Sequence, residues 1–233
     1  MTKLSIHTSQ KTAILYGMHT ELALECLTQL IQHPAYSSIV ILSQIKGKIR
    51  HQKISYLILK DSTLDTLQED ITGNDLFIFQ DSYFDSESTT SETFIQNNYI
   101  LPLRIALYGK KNNVNQSHIV TGASTLLKSV FMPHKAKEEL EQSIRSLNYW
   151  ACYIYKPLNV LTQSNTLREI VSSFLMDKMN KVSDGLLNKF VPIDQESLVK
   201  LMIQNAQQLE KGVHVLKNED ICKIQNDLKK NLE

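Results

Sequence analysis

Glycine is scarce in this chain, at seven in 233 residues, about 3% against an average near 7%. No internal repeat or low-complexity tract interrupts the sequence. Cysteine is also rare. Cys26, Cys152 and Cys222 are odd in number, far apart and outside any C-x-x-C pair, which excludes a disulfide framework and a zinc site and marks them as small, reduced core residues. No apolar run approaches the roughly 18–20 residues of a membrane span, and Met1–Gln10 reads as a loose polar leader without the apolar core of a secretion signal. A cytoplasmic protein is the expectation. A charge excess is missing too: a net +1 and a pI near 7.7 supply no basic field for nucleic acid and no polybasic strip for a membrane. The seven histidines are scattered, with no i, i+4 pair at metal-ligand spacing.

What is present is an ordinary globular profile, 42% hydrophobic and 21% charged, with length enough to bury a sizeable core as one domain plus a small lobe. The stretch Lys11–Leu42 organises the rest. It reads as a strand ending at Gly17, a tight turn, a helix carrying Leu22, Cys26, Leu27, Leu30 and Ile31, a stop at His33-Pro34, and a second strand over 39–42. Further strands are predicted at 54–59, 76–79, 118–120 and 150–155, with a last one possible at 213–216. Their unbroken apolar character is that of strands buried on both faces. A helix capped by Ser62 or Thr63 should run through Ile71 to Gly73, and residues 81–93 form a polar loop. The helix over 94–108 contains Pro102 and should be kinked or split there. Residues 133–147 form an amphipathic helix that tolerates Pro133 in its first turn, and the final third holds two or three helices. Strands alternating with helices of this length predict an open parallel sheet with helices on both faces, whose ligands sit outside the carboxyl ends of the strands.

That rule singles out the turn after the first strand, Gly17-Met18-His19-Thr20-Glu21-Leu22-Ala23. A dinucleotide loop uses glycine for the tight turn, for room beside the pyrophosphate and for close helix packing, with helix amides meeting the phosphate. Gly17 serves the turn and Ala23 the packing. Thr20 replaces the middle glycine; its branched side chain fills the space of the phosphate and would resist a left-handed backbone. Glu21 adds negative charge where the phosphates would lie. The competing reading is a plain strand-to-helix turn.

The segments HPAYSSIVIL, GNDLFIF, HIVTGAS, FMPHKAKEELE, YIYKPLNVL, VPIDQESLVKLM and GVHVLKNEDI fall in order along the chain. In that order and spacing the sequence resembles the atypical short-chain dehydrogenase/reductases, in particular the small NAD(P)H-binding, NmrA-like oxidoreductases. The resemblance implies a Rossmann-like three-layer α/β/α fold with a mostly parallel sheet. It implies one NAD(P)-binding domain over 1–233, with 158–233 supplying a small C-terminal helical, substrate-side lobe. It also implies NADP or NAD as cofactor, and a serine or threonine acting with a Tyr-x-x-x-Lys pair.

Carried over by position, Thr121 stands at the serine site and Lys135 at the lysine site, with Phe131 where the tyrosine belongs. Phenylalanine has no proton to give, so the usual acid is missing, and Pro133 threatens the helix start. The cofactor positions are Gly17, Met18, Thr20, Glu21 and Leu22 in the loop, then Ser43 and Gln44 where arginines would meet a 2′-phosphate. Lys60 replaces an acidic residue near the adenine, and Asp81-Ser82 replaces a glycine on the nicotinamide side. His134 is a candidate substitute acid beside Lys135, although neighbouring helix positions diverge by about 100°. Lys135, Lys137, Glu138, Glu139 and Glu141 read as a solvated helix face, and a Ser-His-Asp hydrolase lacks its nucleophile-elbow motif. Two functions follow: a catalytically inactive relative serving as a binding or regulatory module for a small molecule or protein, or an NAD(P)H-dependent oxidoreductase acting on a small carbonyl through Thr121 and Lys135.

Overall fold

The computed structural model describes residues 10–59, 70–80, 91–121, 131–158, 160–161, 192–208 and 210–230. In chain order these form β1 (Lys11–Tyr16), α1 (Glu21–Gln32), β2 (Tyr36–Ser43), β3 (Ile54–Ile58) and β4 (Asp75–Phe79). A helical rod follows, made of α2 (Ser91–Ile95), one π-helical turn (Gln96–Ile100) and α3 (Leu101–Lys111). Then come β5 (Gln116–Val120), α4 (Phe131–Ser146), β6 (Ala151–Lys156), β7 (Val160–Leu161), β8 (Ile193–Asp194), α5 (Gln195–Ala206), β9 (Gly212–Lys217) and α6 (Asn218–Lys230).

Seven strands make one sheet in the order β3-β2-β1-β4-β5-β6-β9, every neighbouring pair parallel. The chain builds outward from β1 to β3, then returns to β4 on the other side. The order therefore reverses between β1 and β4, and a ligand crevice is expected outside their carboxyl ends. The central strands are buried on both faces, all five residues of β4 and of β5 included. Alternation sorts their side chains into two cores. Ala13, Leu15, Phe77, Tyr153 and Tyr155 pack with Leu27 and Leu30 of α1 and with Leu198 and Met202 of α5. Ile14, Ile78, Ile119 and Ile154 pack with Ile105 of α3 and with Leu140 and Ile144 of α4. Truncating any of these leucines, isoleucines or Met202 to alanine would cost about 2–5 kcal/mol.

One register row crosses the whole sheet: Tyr56, Ile41, Leu15, Phe77, His118, Tyr153, His214. Its second half is aromatic. Phe77–His118 and His118–Tyr153 ring centroids lie 4.9 Å apart and Tyr153–His214 4.5 Å. At the amino edge, buried Asp75 accepts from Lys11 Nζ at 2.5 Å and from the Tyr36 hydroxyl at 2.6 Å. Lys11 also donates to the Ala206 carbonyl at 2.7 Å, and Gln207 Nε2 donates to the Tyr36 hydroxyl at 3.1 Å. The C-terminal end of α5 is thereby fastened to the first strand.

The seven-stranded parallel sheet agrees with the sequence reading, including the last strand around 213–216. The two-residue strands β7 and β8 form a separate small sheet, too short to leave a pattern in the sequence. Ile71–Gly73 is not helical as expected. Ile71 instead drops into the core, its carbonyl held by Asn112 Nδ2 at 3.0 Å; residues 60–69 of that expected helix lie outside the described residues. Ser91–Thr93, read as part of the polar loop, opens α2, and 81–90 lie outside the described residues. Pro133 does not displace its helix, which starts two residues earlier at Phe131; within the first turn a missing amide breaks no bond. Cys26, Cys152 and Cys222 are buried and form no disulfide.

Candidate functional site

At the carboxyl end of β1 the chain turns on Gly17, whose φ of 98° favours glycine. A Cβ there would lie 2.1 Å from the Phe79 carbonyl oxygen, so the turn closes directly against the end of β4. Thr20 then caps α1. Its hydroxyl accepts from the Ala23 amide at 3.2 Å and donates to the Gly17 carbonyl at 3.0 Å, which also accepts from the Thr20 amide at 3.0 Å. This is ordinary N-cap chemistry. Thr20 sits at φ −94°, ψ 144°, extended backbone that a branched residue adopts freely, so the left-handed conformation expected at this position does not occur. The hydroxyl instead caps the Ala23 amide, one of the helix N-terminal donors a phosphate could meet. Met18 packs against the α1-side core, and Leu22 and Ala23 are buried beneath the helix. Glu21, exposed in the first turn of α1, places a carboxylate beside these amides. These residues do not fit a pyrophosphate.

Next to this turn, the helical rod is tied to the carboxyl ends of β1 and β4. Pro102 has no N–H for the carbonyls four and five residues back, those of Asn98 and Asn97. Both are taken by side chains from the carboxyl edge: the Tyr16 hydroxyl donates to the Asn97 carbonyl at 3.2 Å, and Gln80 Nε2 donates to the Asn98 carbonyl. Asn98 Nδ2 in turn donates to the Phe94 carbonyl at 3.2 Å. Tyr16, Gln80 and Asn98 are all buried, and burial raises the Tyr16 phenol well above its usual range. The split expected at Pro102 is thus a π turn within a continuous rod, and it pins that rod to the reversal point of the sheet.

Thr121 follows β5 directly. It is 1% exposed, its amide donates to the Tyr155 carbonyl at 3.1 Å and its hydroxyl to Glu141 Oε1 at 2.8 Å. Glu141 Oε2 lies 2.9 Å from Lys156 Nζ at the end of β6 and 3.9 Å from Arg145 Nη2, one turn along α4. The hydroxyl at the serine position thus donates to a buried carboxylate. Glu141 and Lys137, read from the sequence as a solvated face, are buried. They flank the stripe Ala136, Leu140, Ile144 that packs onto the sheet, and that stripe is the signal that could have found them.

Of the remaining predicted positions, Ser43 and Gln44 have described side chains. Ser43 closes β2; its hydroxyl accepts from the Ile45 amide at 3.3 Å and its carbonyl from the Leu59 amide at 2.8 Å, while Gln44 is exposed. Phe131 and Lys135 are the first and fifth residues of α4, a spacing that puts them on one helical face; their side chains, with that of His134, lie outside the described residues. So do Lys60, Asp81 and Ser82. Among the described residues no group of three side chains could hold a metal, and no helix is long and apolar enough to cross a membrane.

Several solved structures share this architecture at low identity. The Bordetella bronchiseptica enzyme WbmH in complex with NAD+ is 10% identical, with a TM-score of 0.64 over 96% of this chain and 81% of its own. Helicobacter pylori ADP-L-glycero-D-manno-heptose-6-epimerase is 12% identical, at 0.63 over 97% of this chain and 85% of its own. A short chain dehydrogenase family protein from Francisella tularensis is 12% identical, at 0.59 over 91% and 98%. No protein-family model matches the sequence, and no curated protein matches it. The likeness is one of fold: the chain is built as a Rossmann-like α/β/α sandwich.

Proposed function

We propose that this chain is a degenerate, NmrA-like relative of the short-chain dehydrogenase/reductases that no longer catalyses reduction and serves as a binding or regulatory module. The observation that carries the reading is the set of ties at the reversal point, where Tyr16 and Gln80 bond the carbonyls of Asn97 and Asn98 and Thr20 caps the neighbouring helix amide. Two further features support it. The hydroxyl of Thr121 is spent on Glu141, and Phe131 replaces the proton-donating tyrosine. NADP and NAD bind weakly or not at all on this reading, and the partner is another small molecule or a protein. Three buried cysteines outside any disulfide agree with a reducing compartment, the cytoplasm.

Titrating the purified protein with NADPH and with NADH, followed by cofactor fluorescence, tests the proposal. No saturable change up to millimolar cofactor is expected. Saturation in the micromolar range would overturn the reading and favour the alternative, an NAD(P)H-dependent oxidoreductase acting on a small carbonyl.

A further inference from the structure

The connection from β2 to β3 is unlike its neighbour. β1 and β2 are joined through α1, whereas β2 and β3, also parallel, are joined by residues 44–53 without a helix. Parallel strands need a crossover that travels back along their length, and a helix normally does this while covering the sheet. Here the loop leaves a cavity of about 570 Å³ over the edge strand β3, lined by Lys46, Lys48, Ile49, Arg50, Ile54 and Tyr56 among others. Tyr56 and Ile54 belong to the face that α1 covers elsewhere. The cavity runs toward the amino end of β3, where Ile54 opens the strand, away from the carboxyl edge.

The loop is fixed to its strand rather than draped loosely. The Tyr56 hydroxyl donates to the Ile49 carbonyl at 3.0 Å, and a Cβ on Gly47 would lie 2.5 Å from that hydroxyl. Lys53 anchors the far end by donating to the Ile31 carbonyl at 2.7 Å. Two isoleucines nevertheless face water, Ile45 at 76% and Ile49 at 40% exposure. Lys46, Lys48 and Arg50 between and beside them are exposed as well. From residue 26 to residue 60 the chain has no aspartate or glutamate but carries Lys46, Lys48, Arg50, Lys53 and Lys60. A net charge of only +1 overall means the rest of the chain is net acidic, so the positive field is concentrated at this edge.

We propose that this face docks an acidic amphipathic helix of a protein partner, lying in the lane that a crossover helix would fill. Its apolar side covers Ile49, Ile54 and Tyr56, and its carboxylates meet Lys46, Lys48 and Arg50. The charge complementarity chooses an acidic partner, and exposed isoleucines rimmed by cations are the mark of such a surface. Five residues of β3 extend about 17 Å, the length of about three helical turns. The proposal stands whether or not a dinucleotide binds elsewhere.

The test is fluorescence anisotropy of the full chain with a labelled synthetic helix, leucines along one side and glutamates along the other. Binding is expected to weaken about tenfold or more in K46E/K48E/R50E and to fall with added salt. A control variant, Lys211→Glu, should bind as the parent does, and unchanged melting temperatures would show that the exposed substitutions leave the fold intact. Amide hydrogen exchange with the peptide bound should slow across residues 44–58. Absence of binding, or binding untouched by the triple substitution, would overturn the proposal. So would a single-stranded RNA that binds more tightly and displaces the peptide, since the surface would then read nucleic acid.

Discussion

The Thr121 hydroxyl lies 2.8 Å from Glu141 Oε1 and donates to it, both residues buried at the carboxyl edge of the sheet. That hydroxyl balances a carboxylate whose other oxygen is paired with Lys156. Thr121→Val keeps the shape and removes the donor. It should destabilise the protein by about 1–3 kcal/mol, the cost of leaving a buried acceptor short of a partner, read as a lower urea midpoint. An unchanged midpoint would mean that the hydroxyl is not committed to Glu141.

Gln80 and Pro102 should be coupled energetically. Gln80→Met leaves the Asn98 carbonyl buried without its donor and should cost about 1–3 kcal/mol. Pro102→Ala restores an N–H that can take the same carbonyl, so the Gln80 substitution should cost less in that background. A double-mutant cycle by chemical unfolding measures the difference, expected at about 0.5–3 kcal/mol; a value near zero would show that the two do not share Asn98.

Asp75 and His118 predict opposite pH dependences. Burial holds the Asp75 carboxyl above its usual value of 3.8 although Lys11 pulls it back. Its folded form therefore holds its proton longer than the unfolded chain does. The contribution to stability is complete below 3.8 and is lost as pH rises through the elevated value. Lys11→Met should push that value higher, extend the loss further upward and cost about 3–5 kcal/mol at neutral pH. Asp75→Asn should flatten this part of the stability profile.

His118 titrates the other way. It is enclosed by Phe77 and Tyr153, bonded through Nδ1 to the Tyr155 hydroxyl at 3.2 Å, and faces the charges of Lys11 and His214. Burial first, then those two cations, lowers its pKa from 6.5 to about 3. The unfolded chain takes up the proton first, so stability is complete above 6.5 and declines as pH falls toward about 3. His118→Phe keeps the stack and should abolish that decline, as urea midpoints at pH 7.5, 6 and 5 would show.

The sheet was legible because it follows from alternating apolar runs and turn residues: Gly17, His33-Pro34 and Pro157 punctuate the chain where strands and helices end. Near the candidate site, the Gly17–Ala23 turn was legible because a strand-to-helix motif sets its spacing. The site was illegible where partners come from distant segments. Nothing local couples Tyr16 to Asn97 or Gln80 to Asn98, and Glu141 resembles its exposed neighbours Glu138 and Glu139 until Leu140 and Ile144 orient the helix. Pro102 was the available clue, since its missing amide leaves a carbonyl one turn back in need of another donor when buried.

The central claim is that the crevice at the strand-order reversal is sealed against a dinucleotide. Thermal unfolding of the unmodified chain in 1 mM NADPH tests it most directly. A cofactor binding with a 10 μM constant would be present at about 100 times that constant, add about 2.7 kcal/mol and raise the melting temperature by about 5–10 °C. The account predicts no shift; a rise of that size would contradict it.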